Sequence, residues 1–308
     1  MNNANLYNLF LERFPKDPTA LFLDGVDGRR LLYREVPQYT GQMLSLLQQS
    51  GVQKGDRVVV QVEKSIEAVL LYLACLRAGA IYIPLNTAYT PKELGYFLQD
   101  ATPRLFVCAP DRKEALAPVV RAAGVPVVLS LGAGGEGELA EAAATAPASE
   151  QVVEVAADDL AAILYTSGTT GLSKGAMLSH ANLASNAQVL HDYWHWQRDD
   201  VLLHALPIFH VHGLFVALHC ALLGGSRLIF LPRFDADEVI ARLPEATVLM
   251  GVPTFYTRLL ERADFTRELC AGMRLFISGS APLLADTHRE FEARTGHRIL
   301  ERYGMTEA

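Results

Sequence analysis

Tyr165-Thr166-Ser167-Gly168-Thr169-Thr170-Gly171-Leu172-Ser173-Lys174-Gly175 stands between two apolar runs, Leu160 to Leu164 before it and Ala176 to Leu178 after it. Its glycines permit backbone angles closed to other residues. Its Ser and Thr hydroxyls, backbone N–H groups and single lysine make a dense set of donors, the chemistry of a loop that wraps phosphate. A flexible linker is the plain alternative, but linkers rarely stand between apolar strands or close on Lys-Gly. A Walker loop needs G-x-x-x-x-G-K-[ST] between a strand and a helix. Here Ser173 precedes Lys174 and Gly175 follows it, and a helix starts only near His180. The strand–loop–strand setting therefore argues against a kinase or GTPase loop.

The chain of 308 residues has room for roughly two compact domains. Half of its residues are hydrophobic and a fifth are charged, as in a soluble globular enzyme. A net charge of −7 offers no basic surface, so nucleic acid is not an expected partner. Cys75, Cys108, Cys220 and Cys270 lack metal or redox spacing and read as buried, reduced thiols of a cytoplasmic protein. The N-terminus lacks the regions of a signal peptide, and no apolar run is long enough to span a membrane.

Around the quoted stretch, strands and helices alternate. A helix-like opening and a hairpin around Gly25 and Gly28 precede a helix over Tyr33 to Ser50. Arg57 to Val62 reads as a strand. Ser65 caps a helix with apolar residues at Ile66, Val69, Leu70, Leu73 and Leu76, ended by Gly79. Ala80 to Pro84 is a strand, and Asn86 to Tyr89, which follows its end, reads as a plain turn, with a loop that reaches the site as the alternative. Thr90-Pro91-Lys92-Glu93 is a capping box with proline at the first helical position. Strands at Arg104 to Cys108 and Val125 to Leu129 flank a further helix. Gly132 to Ser149 reads as a surface excursion. The expected fold is α/β, two doubly wound, mostly parallel sheets packed with helices. The expected subdomains are 1–157 and 158–308.

The second half puts its unusual loops at strand ends. Val201 to Leu206 leads into Pro207-Ile208-Phe209-His210-Val211-His212-Gly213, and Thr247 to Gly251 into Val252-Pro253-Thr254-Phe255-Tyr256-Thr257-Arg258. Leu275 to Ser278 leads into Gly279-Ser280-Ala281-Pro282, and Ile299 to Glu301 into Tyr303-Gly304-Met305-Thr306-Glu307. Carboxyl ends of parallel strands share one edge, where ligands bind, so these loops should converge and the glycine loop should join them. His210 and His212 lack a third partner for zinc; one should face the site while the other is structural. Arg258, on the first turn of a helix starting at Thr254, is either a plain exposed residue or a guanidinium for an anion. Ser280 either fits a tight turn or lines the site. Thr306 and Glu307 either start a helix or offer Mg²⁺ a hydroxyl and a carboxylate.

The glycine loop, Leu206-Pro207-Ile208-Phe209-His210, Gly279 to Pro282 and Tyr303 to Glu307 together resemble, in order, the signature motifs of the adenylate-forming enzymes. That superfamily contains acyl-CoA synthetases, peptide-synthetase adenylation domains and luciferases, and the resemblance covers essentially the whole chain. Asn86 to Thr90 and Val252 to Arg258, with Ser280, look most like malonyl-CoA synthetases. The resemblance implies ATP, Mg²⁺ and coenzyme A as cosubstrates and cofactor. It implies that Thr166, Ser167, Gly168, Thr169, Thr170, Gly171 and Lys174 hold the β- and γ-phosphates. Gly279, Ser280, Ala281, Pro282, Tyr303, Gly304 and Met305 would frame the adenosine, with the Tyr303 ring on adenine. Thr306 would touch the α-phosphate and Glu307 bind Mg²⁺. The catalytic set would be Thr166, Lys174, His210, Thr306 and Glu307.

Malonate carries a second carboxylate, for which Arg258, His210 and Ser280 are the expected partners, since a guanidinium grips a carboxylate with two parallel N–H bonds. Enzymes of the family run on for roughly 200 further residues, with a ribose-binding Asp, a hinge and a small lysine-bearing domain. Truncation, with impaired activity, is therefore the expectation for a chain ending at Ala308. The alternatives are a ligase for another short, branched or medium-chain acid, such as methylmalonate, and a non-catalytic nucleotide-binding fragment. Nothing in the sequence sets the oligomeric state.

Overall fold

The computed structural model describes residues 3–166 and 173–307. In chain order the strands are β1 (Leu21–Gly25), β2 (Arg30–Leu32), β3 (Arg57–Gln61), β4 (Ile81–Pro84), β5 (Leu105–Cys108), β6 (Val127–Ser130), β7 (Leu160–Thr166), β8 (Lys174–Ser179), β9 (Val201–His204), β10 (Arg227–Phe230), β11 (Val248–Gly251), β12 (Leu275–Gly279) and β13 (Ile299–Arg302). The α-helices are α1 (Leu6–Leu11), α2 (Val36–Gln49), α3 (Ile66–Ala78), α4 (Pro91–Ala101), α5 (Lys113–Ala122), α6 (Glu138–Thr145), α7 (His180–Tyr193), α8 (His219–Gly224), α9 (Ala236–Arg242), α10 (Pro253–Leu260) and α11 (Ala285–Thr295). Contacts divide the chain into two compact units. One gathers the N-terminus to Glu12, Arg34–Asn186 and Glu307; the other gathers Arg13–Tyr33 and Ala187–Thr306.

The first unit holds a six-stranded sheet in the order β6-β5-β3-β4-β7-β8. Every pair is parallel except β7–β8, which are antiparallel. β4 and β5 are buried along their whole length, as strands covered on both faces must be. Ser65 caps α3 by accepting from Ala68 N–H, and Gly79 ends it at φ 62°, the left-handed region that glycine enters freely. Thr90 and Glu93 form the full capping box of α4. On one side of this sheet Leu94, Phe97, Leu98, Leu116 and Val120 pack against Val59, Ile83 and Phe106.

The second unit holds a seven-stranded sheet in the order β13-β12-β11-β9-β10-β1-β2. All pairs are parallel except the β1–β2 hairpin. Its core sets Leu203, Ile229, Leu249 and Phe276 against Tyr256, Leu259, Phe265 and Phe291. Two parallel-dominated sheets packed with helices are thus the fold of this chain. All four cysteines are free and buried. Among the described residues no helix is long and apolar enough to cross a membrane.

Three expectations need correction. The chain does not divide once near residue 157. β7 pairs with β4 through Tyr82 and Ala162, so the glycine-loop hairpin completes the first sheet. The early hairpin instead joins the second sheet, where Leu23 pairs with Leu228. Apolar patterning reveals a strand but not the edge it pairs with. The Gly132 to Ser149 stretch is not merely a surface excursion. It contains α6, which buries Leu139 and Ala143, and Ser45 Oγ donates to the Pro147 carbonyl at 2.7 Å. The helix expected from Tyr33 begins as a short 3₁₀ turn, Tyr33–Glu35, before α2.

His180 gives the first unit an acid sensitivity. It is fully buried, and its Nδ1 accepts from Leu6 N–H at 3.1 Å. Burial holds its pKa down to about 4, with Asp159 opposing and Lys54 adding to the effect. The native state needs the neutral ring, whereas an unfolded histidine takes its proton near pH 6.5. Its contribution to stability is therefore complete above about pH 6.5 and lost as pH falls toward 4, up to roughly 3 kcal/mol. His180→Asn keeps an acceptor for Leu6 and cannot titrate. Thermal unfolding followed from pH 7 to 4 should fall less steeply for this variant than for the wild type.

Candidate functional site

β9, β11, β12 and β13 are parallel neighbours, so their carboxyl ends open on one edge of the second sheet. The loop after β9 turns back sharply. A Cβ at Gly213 would meet the Pro207 carbonyl oxygen at 2.1 Å, so only glycine fits there. His204 Nε2 donates to the Gly213 carbonyl at 2.9 Å and pins the same turn. The chain then enters a π-helix, His212–Leu218, buried throughout. Such wide turns collect at functional sites.

His212 is the innermost polar group of this edge. Its Nδ1 lies 3.3 Å from Ser280 Oγ, and its Nε2 is buried without a hydrogen-bond partner among the described residues. Burial, followed by the charges of Arg302 and His210, pushes its pKa down to about 3. His210 is exposed, and its Nδ1 accepts from His212 N–H at 3.2 Å. The protein crowding one side of the His210 ring, and then Arg302, lower its pKa as well. Both rings are thereby kept neutral and able to hydrogen-bond. One of the pair is exposed and the other internal, and it is the internal His212 that touches Ser280.

Ser280 stands at φ +69°, a left-handed conformation uncommon outside glycine. The turn it makes is held from β13: Leu283 N–H donates to Glu301 Oε2 at 3.1 Å. Gly279 pairs with Arg302 across β12 and β13. A Cβ on Gly279 would lie 3.2 Å from His212 Cε1 and 3.3 Å from the Arg302 carbonyl oxygen. The missing side chain lets the histidine and the two strand ends meet.

Arg302 was not singled out by the sequence. It is half-buried, burial lowers its pKa, and among the described residues no carboxylate or hydrogen-bond acceptor pairs with its guanidinium. The available signal was a cationic residue directly before the Tyr303 motif. Arg258, by contrast, lies in the last turn of α10, not the first, because α10 begins at Pro253. It is exposed, with its guanidinium carbon 4.9 Å over the centre of the Phe234 ring, and no hydrogen bond joins it to His210 or Ser280. Ala281 and Pro282 are exposed beside Ser280. Tyr303 is 89% exposed, its ring free to stack. Gly304 and Thr306 are half-buried and Met305 is exposed.

The strands that flank the glycine loop, β7 and β8, belong to the six-stranded sheet of the first unit. Thr166 and Lys174 pair directly across the β7–β8 hairpin, and Lys174 is exposed. Ser167, Gly168, Thr169, Thr170 and Gly171 lie outside the described residues. Glu307 groups with this unit, where its carboxylate accepts from Thr166 Oγ1 at 2.9 Å. A hydroxyl beside a carboxylate is an oxygen donor set that suits a hard cation. Among the described residues no three His, Cys, Asp or Glu side chains are grouped to hold a metal.

A family profile described as AMP-binding enzyme matches residues 10–308. The chain is 37% identical over 270 residues to the malonate–CoA ligase ACSF3, mitochondrial, of Mus musculus, covering 82% of this chain and 45% of the relative. It is 33% identical over 296 residues to the malonate–CoA ligase of Arabidopsis thaliana, covering 87% of this chain and 47% of that protein. The crystal structure of ATP-bound MatB from Rhodopseudomonas palustris is 54% identical and superposes with a TM-score of 0.96, over 99% of this chain and 60% of MatB. The chain thus spans about half the length of the curated relatives it matches.

The unpaired charge of Arg302 should be visible in its neighbours. Arg302→Met removes a cation that disfavours protonated imidazole, so the pKa of His210 should rise toward the ordinary histidine value. Titration of the ring Cε1 protons by NMR checks this. An unchanged His210 would mean that the guanidinium is not felt there.

Proposed function

The chain belongs to the AMP-binding enzyme family, and from that premise we propose that it activates a carboxylic acid with ATP for transfer to coenzyme A, the acid being malonate. The observation that carries the acid side is Arg302, a half-buried guanidinium with no anionic partner among the described residues, set beside histidines kept neutral. A cation withdrawn from water without a counter-ion is costly, and a ligand carboxylate relieves that cost through paired N–H bonds. A monocarboxylate has no second anion to offer it. Arg302, with His210 and Ser280, is assigned to the carboxylate that does not react. Arg258 keeps its proposed part as a second guanidinium for the same acid, and its exposure leaves it free to turn from Phe234.

The nucleotide side rests on residues of matching chemistry. Thr166 and Lys174 offer a hydroxyl and an ammonium to phosphate oxygens, together with the intervening residues 167–171. Gly279 to Pro282, Tyr303, Gly304 and Met305 would receive the adenosine, and the exposed Tyr303 ring has a free face for a base. Thr306 is assigned to the α-phosphate. Glu307 would hold Mg²⁺, which neutralises phosphate charge when bound and keeps few protein ligands. A carboxylate oxygen attacks the α-phosphorus, the new P–O bond displaces pyrophosphate, and the coenzyme A thiol then displaces AMP from the acyl carbon. The first step joins two anions, so neutralisation and alignment matter more than proton transfer. His210 supplies a neutral hydrogen-bonding ring rather than a general acid.

The test is ATP–pyrophosphate exchange by the purified chain with malonate. Exchange that depends on malonate is expected; ATP binding without exchange would favour a nucleotide-binding role alone. Where exchange is measurable, Arg302→Met and Arg258→Ala should each lower kcat/KM for malonate by roughly 10- to 100-fold, the worth of a charged hydrogen bond. Butyrate, which lacks the second carboxylate, should change little. Equal losses for both acids would remove these arginines from acid recognition.

A further inference from the structure

We propose that Tyr96 and Asp100 of α4 are positioning residues that hold the ends of β7 and β8 at Thr166 and Lys174 and thereby set affinity for the β- and γ-phosphates of a nucleoside triphosphate. The inference deepens the nucleotide reading above and rests on it. Tyr96 and Asp100 are four residues apart, so they share one face of the helix. Tyr96 Oη donates to the Ser173 carbonyl at 2.7 Å, and Tyr165 Oη donates to Asp100 Oδ2 at 2.6 Å. Ser173 directly precedes Lys174, and Tyr165 directly precedes Thr166. Thr166 and Lys174 are themselves paired across the hairpin. One helix face therefore grips both arms, each time one residue from a proposed phosphate donor.

The grip comes from a rigid element. α4 begins on a capping box with proline in its first turn, and it buries Leu94, Phe97, Leu98 and Ala101. Phe97 packs against both tyrosines: its ring centre lies 4.6 Å from that of Tyr165 and 5.5 Å from that of Tyr96. Burial, and then the Asp100 carboxylate, raise the pKa of Tyr165, so its hydroxyl stays a donor. Thr166 and Lys174 have conformational freedom to lose when they take up phosphate. Aiming both ends in advance lowers that cost, and affinity rises without any new contact to the ligand. AMP lacks the β- and γ-phosphates, so its binding should not depend on the clasp.

The experiment is calorimetric titration of the chain with ATP and, separately, AMP, each with magnesium, for the wild type, Tyr96→Phe, Tyr165→Phe and the double variant. Each substitution removes one hydroxyl, and with it the bond to Ser173 or to Asp100, and keeps the aromatic packing. Tyr96→Phe should weaken ATP binding by roughly 3- to 10-fold, the worth of one hydrogen bond, and the double variant by more. AMP affinity should stay at the wild-type value. Equal weakening for ATP and AMP, or no change for either, overturns the inference while leaving the nucleotide reading intact. A wild-type chain that binds ATP no more tightly than AMP overturns the phosphate role of the hairpin, and this inference with it.

Discussion

Gly279 and Arg302 face one another across two parallel strands, and the arrangement of His212, Ser280 and Arg302 depends on that pairing. The register puts the end of β12 beside the end of β13. The absence of a side chain at Gly279 then lets His212 come within contact of both. A one-residue slip would send Arg302 to the other face of the sheet and separate it from the histidines. The strain at Ser280 and the tie from Leu283 to Glu301 belong to the same junction, since the turn after β12 must bend away at once.

The junction collects groups that a purely structural edge would avoid. Among the described residues, His212 has a buried nitrogen without a partner, and Arg302 a guanidinium without an anion. Each is unfavourable in isolation. Beside them β12 is buried from Phe276 to Gly279, and local strain and unmet polar groups concentrate where ligands bind. The lowered pKa values of His210 and His212 follow from the same crowding. The histidines stay neutral because a nearby cation and low solvation both disfavour a second positive charge.

In the first unit the order is reversed: the unusual chemistry sits on an edge hairpin and the support comes from a helix. β7 and β8 carry the donors, while α4 braces both arms through two tyrosine hydroxyls and an aromatic cluster. Asn86 to Tyr89 contributes to the same brace as a fixed turn. Asn86 Oδ1 accepts from Ala88 N–H at 2.9 Å, and the Tyr89 ring lies 4.8 Å from Phe97. The likeness to MatB over nearly the full chain accords with both sheets.

Local signals were legible because they act over a few residues. The caps at Ser65, Gly79 and Thr90, the apolar strands and the ordered motifs at strand ends could all be read directly, and they sufficed for the fold class and the family. Three matters required the folded chain. Which sheet received the early hairpin and the glycine-loop hairpin was decided by pairing with β10 and β4, more than a hundred residues away in the first case. Arg302 gained its significance only when the register set it beside Gly279 and close to His212. The roles of Tyr96 and Asp100 arose from a helix meeting both arms of a hairpin about 70 residues further on. Spacing along the chain predicts neighbours on one helix or strand; contacts between elements are set by packing and register, and no local pattern encodes them.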